Sequence, residues 1–148
     1  MFRNNLGALT RKQPEERLIG ESDNRAYTFW FSNPNVYVEG NVAAGAQMGG
    51  YWYETFEHNP HGPYKNTTLW PEYQTFNPKI RPFGSFFDNV CHSSGERAIT
   101  MYQPGYASPA PFTFYNTRAY KNFYQGIFIH GVRNMTLDGG VFADNFIK

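Results

Sequence analysis

One short pattern recurs along the chain at fixed intervals, and it restricts the fold to a stack of similar units. An aromatic or aliphatic residue is followed three places later by Asn or Thr, in copies that begin 48, 28 and 28 residues apart. Repetition at such intervals indicates stacked supersecondary units, none of which can bury its apolar face alone. The four copies are Val38–Asn41, Phe86–Asn89, Phe114–Thr117 and Phe142–Asn145.

The copies lie among short segments that are rich in β-branched and aromatic residues. Such segments, bounded by Gly, Asn, Asp or Pro, are typical of strands separated by turns, and no stretch has the period of a long amphipathic helix. We therefore predict an all-β fold, a right-handed parallel β-helix of about three to five rungs, with equivalent positions stacked about 4.8 Å apart. The predicted strands are 27–31, 36–38, 50–53, 98–102, 127–130 and 135–137.

Stacking of the rungs predicts columns of similar side chains. Small side chains fit beside a corner, aromatic rings form a ladder, and Asn suits a bend because it tolerates left-handed backbone. The predicted columns are Ala43, Cys91 and Ala119; Phe86, Phe114 and Phe142; and Asn41, Asn89 and Asn145.

The domain organisation follows from the same register. We expect residues 1–25 to cap the helix or to form part of an upstream rung, and residues 26–148 to form the β-helix. A long loop, about residues 55–81, interrupts it because four prolines block regular strand pairing there. A second, shorter loop is expected at 103–111, and loops on such scaffolds often carry binding function.

Composition excludes some classes of partner. The net charge of +1 gives no electrostatic case for nucleic acid or an anionic membrane. No apolar run is long enough to span a bilayer, and residues 1–25 lack the apolar core of a signal peptide. Aromatic residues make up 19% of the chain although its mean hydropathy is −0.60, a mixture that suits solvated β-structure and sugar-facing surfaces.

Two residue types bear on covalent chemistry. The single cysteine, Cys91, falls in the small-residue column, which predicts a buried, inert thiol and not a nucleophile. Asn66 and Asn134 begin N-glycosylation sequons, which are compatible with secretion.

Several segments, in this order, resemble a known family. The chain is similar, over about residues 26–146, to the β-helical region of the cell migration-inducing and hyaluronan-binding protein and cell-surface hyaluronidase family, and more distantly to fibrocystin-type receptors. The segments are Thr28–Trp30, Asn33–Asn35, Asn41–Gly45, Gly50–Tyr53, His58 with Gly62 and Pro63, Phe83–Phe86, Asn89 with His92 and Ser93, Ala119–Asn122 and Phe142–Asn145.

This resemblance implies an extracellular or cell-surface location and hyaluronan or another glycosaminoglycan as partner. Members of the family are larger, so the chain looks like a fragment, and open β-helix ends would let it self-associate. The residues implicated in hyaluronan cleavage lie upstream of this region in the family, so none can be assigned here. No cofactor is evident, although calcium could belong to the parent protein.

Candidate catalytic residues are few. Hydrolysis of a glycosidic bond usually takes two carboxyl groups about 5 to 9.5 Å apart. Asp88 and Asp144 occupy equivalent repeat positions two rungs apart, at about 10 Å, so we interpret them as turn residues in preference to catalysts. His92, near Asp88, is the preferred polar candidate, although histidines also cap turns. The spacing of His58 and His61 is weak evidence, and no metal site is predicted.

Candidate carbohydrate-binding residues are aromatic or basic. Trp52 and Trp70 could stack on sugar rings, and Arg97 and Lys121 could pair with sugar carboxylates. The alternative for the two tryptophans is packing of the long loop onto the β-helix.

Three functional hypotheses remain open. The first is a segment of an extracellular hyaluronan-binding or hyaluronan-depolymerising protein, contributing scaffold and groove wall. The alternative is a non-enzymatic, fibrocystin-like receptor or adhesion β-helix. The third, a pectate-lyase-like enzyme, would need clustered calcium-binding carboxylates, and the acids here are scattered.

Overall fold

The computed structural model describes residues 1–18, 24–55, 76–101 and 105–146. In these residues the chain forms twelve strands, with 3₁₀ turns at Glu15–Arg17 and Pro78–Ile80. The strands of the first three rungs are β1 (Phe2–Arg3), β2 (Leu6–Ala8) and β3 (Tyr27–Phe31); β4 (Tyr37–Glu39), β5 (Val42–Ala44) and β6 (Gly49–Tyr53); and β7 (Ser85–Phe87), β8 (Val90–His92) and β9 (Ile99–Met101). The remaining strands are β10 (Ala107–Tyr120) and β11 (Ile127–Ile129) in the fourth rung and β12 (Arg133–Ala143) in the fifth.

Parallel pairing joins each rung to the next. The first sheet has the order β1-β4-β7-β10-β8-β5-β2, with β12 also paired to β10, and the second sheet has the order β11-β9-β6-β3. Strands β10 and β12 are long enough to run across both halves of the first sheet. This arrangement confirms the predicted parallel β-helix.

The predicted register holds through the first four rungs. Phe86 pairs with Phe114, and their ring centroids lie 4.3 Å apart. Cys91 pairs with Ala119 and with Ala43, all three fully buried. The column has to be small because it lies against Gly50, where a Cβ would overlap with the Cys91 Sγ.

Buried asparagines form a hydrogen-bonded ladder at the bend between the two halves of the first sheet. The Asn89 Oδ1 accepts bonds from the backbone N–H and the Nδ2 of Asn41, at 2.9 and 3.1 Å. The Asn41 Oδ1 likewise accepts bonds from the backbone N–H and the Nδ2 of Asn5, at 2.9 and 2.8 Å. Each side chain thus satisfies backbone groups at a corner where no strand can pair with them.

The predicted register of the fifth rung is wrong. Leu137, and not Phe142, pairs with Phe114, while Phe142 pairs with Ala119. Asn145 correspondingly accepts a 3.1 Å bond from the backbone of Asn122, so it belongs to a different bend from Asn89.

A shorter connection causes this shift. Met101 of the third rung pairs with Ile129 of the fourth, so the two residues mark equivalent starting points. Eleven positions along the chain lead from Met101 to Phe112 in the fourth rung. Only six positions lead from Ile129 to Met135, the partner of Phe112 in the fifth rung. The offset between these two rungs is therefore five residues shorter than the 28-residue repeat.

The two expected loops differ in outcome. The second, 103–111, is in part a strand, because β10 begins at Ala107, which pairs with Arg133 before a register irregularity that ends at Phe112. Residues 56–75 of the longer loop lie outside the described residues. The N-terminal residues form the first rung, since β1 and β2 pair with β4 and β5.

The core is filled by aromatic side chains from all sides of the helix. Tyr51 and Tyr53 of β6 are fully buried against Phe86, and burial raises the pKa of both phenols. The Tyr51 hydroxyl donates a 2.8 Å bond to the backbone oxygen of Asn41. The Tyr53 hydroxyl is buried without a hydrogen-bond partner in the described part of the chain.

Candidate functional site

The outer face of the second sheet carries a column of large side chains. Alternation along β3 and β6 places Phe29, Phe31, Tyr51 and Tyr53 toward the core, so the residues between them face outward. Trp30 stacks on Trp52 in the next rung, with ring centroids 5.1 Å apart and planes inclined by 10°.

Trp52, a predicted carbohydrate-binding residue, is covered by its neighbours in the stack. Only 4% of Trp52 is exposed, whereas 38% of Trp30 is exposed, so Trp30 presents its ring to solvent and Trp52 supports it. Trp30 was not among the residues predicted to bind carbohydrate. Its signal is the alternation of β3, which places Trp30 between the inward-facing Phe29 and Phe31.

Two further side chains pack on Trp52. The Arg25 guanidinium lies 5.0 Å from the Trp52 ring centroid, a distance at which the ring attracts the cation. Tyr27 lies 5.2 Å from the same ring, against Gly49, where a Cβ would overlap with the phenol. The Tyr27 hydroxyl is 3.1 Å from the Thr100 Oγ1, and burial raises the pKa of the Tyr27 phenol.

Arg97 lies on the same side of the molecule, where its guanidinium is held by four groups. The carbon of the guanidinium is 4.4 Å from the ring centroid of Phe128 and 5.9 Å from that of Tyr124. Its Nε donates a 2.8 Å bond to the Gln125 side chain, and its Nη1 is 3.8 Å from a Glu96 carboxylate oxygen. We call Arg25, Tyr27, Trp30, Trp52, Arg97 and Phe128 the arginine–aromatic surface.

The candidate catalytic residues are not brought together. Asp88 occupies a left-handed bend, and its Oδ1 accepts bonds from Asn116 at 2.8 Å and Arg118 at 2.7 Å. Because of the register shift, Asp144 lies at the bend that contains Lys121, so the predicted equivalence with Asp88 is wrong.

His92 lies at the opposite end of β8 from Asp88. Its ring stacks on Tyr120, with centroids 5.1 Å apart and planes inclined by 6°, and its Nδ1 is 3.1 Å from the Ser93 hydroxyl. These contacts place His92 on the outer face of the first sheet.

The remaining candidates are distributed over the surface or lie outside the described residues. The Lys121 backbone N–H donates to Ala143 at the bend after β10. The Nδ2 of Asn134, the atom to which a glycan would be attached, donates a 2.9 Å bond to the backbone oxygen of Ser108. The candidates that fall outside the described residues are His58, His61, Asn66 and Trp70.

Cys91 is buried, as predicted, and burial raises the pKa of its thiol to about 12. Across residues 1–18, 24–55, 76–101 and 105–146, no group of three or more His, Cys, Asp or Glu side chains could hold a metal ion. In the same ranges no helix is long and apolar enough to cross a membrane.

Stacked rungs joined by parallel pairing define the class of parallel β-helix proteins. Within this class the chain belongs to the CEMIP beta-helix family, whose family model matches residues 1–99. The chain is 37% identical to Fibrocystin-L of Mus musculus over 75 residues, and this alignment covers 51% of this chain and 2% of that protein. It is 36% identical over 67 residues to Cell surface hyaluronidase CEMIP2 of Homo sapiens, covering 45% of this chain and 4% of that protein.

A third relative aligns over a longer stretch. Cell surface hyaluronidase of Danio rerio is 29% identical over 118 residues, covering 64% of this chain and 8% of that protein. The chain thus spans less than a tenth of the length of these relatives. No solved structure matches the chain.

Proposed function

We propose that the chain is a β-helix segment of an extracellular or cell-surface protein that binds hyaluronan. The observation that carries the proposal is the family match over residues 1–99, combined with relatives that are named cell surface hyaluronidase. In this role the rungs supply a rigid scaffold and one wall of the polysaccharide groove.

Binding without cleavage fits the side chains of this segment. Asp88 already bonds Asn116 and Arg118, and Asp144 lies at another bend, so these two candidate carboxyl groups do not face one site. A glycosidase needs one carboxyl that stays protonated beside another that is ionised. Depolymerisation, where the parent protein performs it, would therefore not use Asp88 and Asp144 as a catalytic pair.

The test is incubation of the purified 148-residue chain with high-molecular-weight hyaluronan, with and without calcium. We expect the chain to be retained on immobilised hyaluronan and the polymer to keep its length on a sizing gel. Failure of the folded chain to bind would contradict the proposal. Shortening of the polymer that disappears in Asp88→Asn would instead place catalysis within this segment.

The second candidate function is a receptor or adhesion β-helix without enzymatic activity. It is favoured by the 37% identity to Fibrocystin-L over 75 residues. A cell-binding assay separates the two candidates, because an adhesion segment would bind cells whose hyaluronan has been enzymatically removed. A hyaluronan-binding segment would no longer bind those cells.

A further inference from the structure

We propose that the arginine–aromatic surface is the face on which an acidic polysaccharide lies, with the polymer running along the helix axis. This inference rests on the proposed function and adds to it the face, the contacting residues and the direction of the polymer. Trp30 would support a sugar ring, and Arg25 and Arg97 would pair with the carboxylates of uronic acid units.

The aromatic part of this surface is preorganised. Trp30 is held parallel to Trp52 by direct stacking, and its outer parts remain exposed. A rigid, half-exposed indole offers a flat apolar face without losing side-chain freedom when a sugar packs against it. Trp30 is the most exposed residue of β3.

The guanidinium of Arg97 is also fixed before any ligand arrives. Stacking on Phe128 and the bond from Nε to Gln125 orient its plane, while the ion pair of its Nη1 among the described carboxylates, with Glu96, is long at 3.8 Å. A planar guanidinium held in a fixed orientation is suited to a bidentate bond with a carboxylate. Arg25 adds a second cation, which forms no ion pair with any described carboxylate.

The same surface extends along the axis over four rungs. Trp30 belongs to the first rung, Trp52 to the second, Thr100, which meets Tyr27, to the third, and Phe128, which supports Arg97, to the fourth. Because successive rungs are about 4.8 Å apart, the contacts extend over roughly 15 Å, enough for several sugar units in a row.

Two arginines of the first sheet are less suitable. Arg3 and Arg118 each lie 2.7 Å from a carboxylate oxygen, of Glu39 and Asp88 respectively. A polysaccharide would have to break these pairs before it could bind there. Charge complementarity therefore favours Arg25 and Arg97 over Arg3 and Arg118.

The experiment is titration of the full 148-residue chain with hyaluronan oligosaccharides of defined length, followed by calorimetry and by tryptophan fluorescence. Arg97→Gln and Arg25→Gln should each weaken binding about tenfold, since each removes a charge-assisted contact. Trp30→Ala should weaken it about fivefold, and Arg97→Lys, which keeps the charge but loses the planar fork, should fall between Arg97→Gln and the unmodified chain.

Matched controls lie on the other face. Arg133→Gln and Tyr115→Ala replace an exposed arginine and an exposed aromatic residue of the first sheet, and both should bind as the unmodified chain does. Hyaluronan with its carboxylates reduced to alcohols should bind weakly to every variant and should not distinguish Arg97→Gln from the unmodified chain. Thermal unfolding confirms that each variant is folded.

The outcomes distinguish a wrong assignment of the binding face from a wrong proposed function. If the chain binds hyaluronan but Arg97→Gln, Arg25→Gln and Trp30→Ala bind equally tightly, the polymer lies elsewhere and only the assignment of the face is overturned. If the carboxyl-reduced polymer binds as tightly as the native one, recognition by arginine is overturned. If the folded chain binds no hyaluronan, the proposed function fails together with the face.

Discussion

The side-chain oxygen of Asn89 accepts two hydrogen bonds from Asn41 in the preceding rung, one from the backbone N–H and one from the amide. The Asn89 Nδ2 in turn donates a 2.7 Å bond to the backbone oxygen of Val38. One buried amide therefore satisfies three polar groups at a bend that no strand pairing reaches.

Asn89→Ala should lower the free energy of unfolding by about 3 kcal/mol, because the buried N–H and Nδ2 of Asn41 and the backbone oxygen of Val38 each lose a hydrogen bond. Urea denaturation measures this change. The control, Asn35→Ala, removes an exposed asparagine and should change stability by less than about 0.5 kcal/mol. Equal stability of the two variants would contradict the ladder.

Ala119→Leu should cost about 1 to 3 kcal/mol, because Ala119 is fully buried in the column between Cys91 and Phe142, where a larger side chain has no room. The midpoint of thermal unfolding reports the loss. Ala8→Leu adds the same atoms at an exposed strand position and should be nearly neutral. An unchanged midpoint for Ala119→Leu would argue against a tight column.

Tyr51 and Tyr53, two positions apart in β6, should differ in how the loss of the hydroxyl changes the free energy of unfolding. Tyr53→Phe removes a buried hydroxyl that lacks a partner in the described residues, and stability should stay the same or rise by about 1 kcal/mol. Tyr51→Phe removes the bond to the Asn41 backbone, and stability should fall by about 1 kcal/mol. Parallel urea titrations compare them, and the reverse order would be inconsistent with this core.

The isolated chain should self-associate as its concentration rises. In the described residues β12 pairs with β10 alone, and its Val141 and Phe142 are exposed, which are features of a strand edge that recruits other chains. Val141→Lys should reduce the average mass measured by light scattering. Tyr37→Lys, on a strand paired on both sides, should not, and a monomer at all concentrations would contradict the prediction.

The repeat pattern was sufficient to predict the stacking of Phe86 on Phe114 and of Cys91 beside Ala119, because side chains that share a column are selected for similar size and shape. It failed at Phe142, where four residues happen to match the pattern although the connection before them is five residues shorter. Register depends on the length of every connection, and a motif match alone does not reveal that length.

The candidate surface was harder to predict than the fold. Arg97 was identified from its charge, but its fixation by Phe128 and Gln125 depends on residues of the next rung. Trp52 and Trp30 have similar sequence surroundings, and only their places in the stack decide which ring is covered. Burial of this kind follows from the neighbours of a rung in space, which local sequence does not report.

The shortened connection before β12 changes which side chains stack at the last described rung. Most of the missing residues have no counterpart because β10 is irregular: five positions separate Ala107 from Phe112, whereas two separate their partners Arg133 and Met135. The new register brings a bulky ring, Phe142, over the line of small side chains that runs through Gly7, Ala43, Cys91 and Ala119. A rung stacked on β12 would therefore meet an aromatic ring at the position where the earlier rungs meet a small side chain.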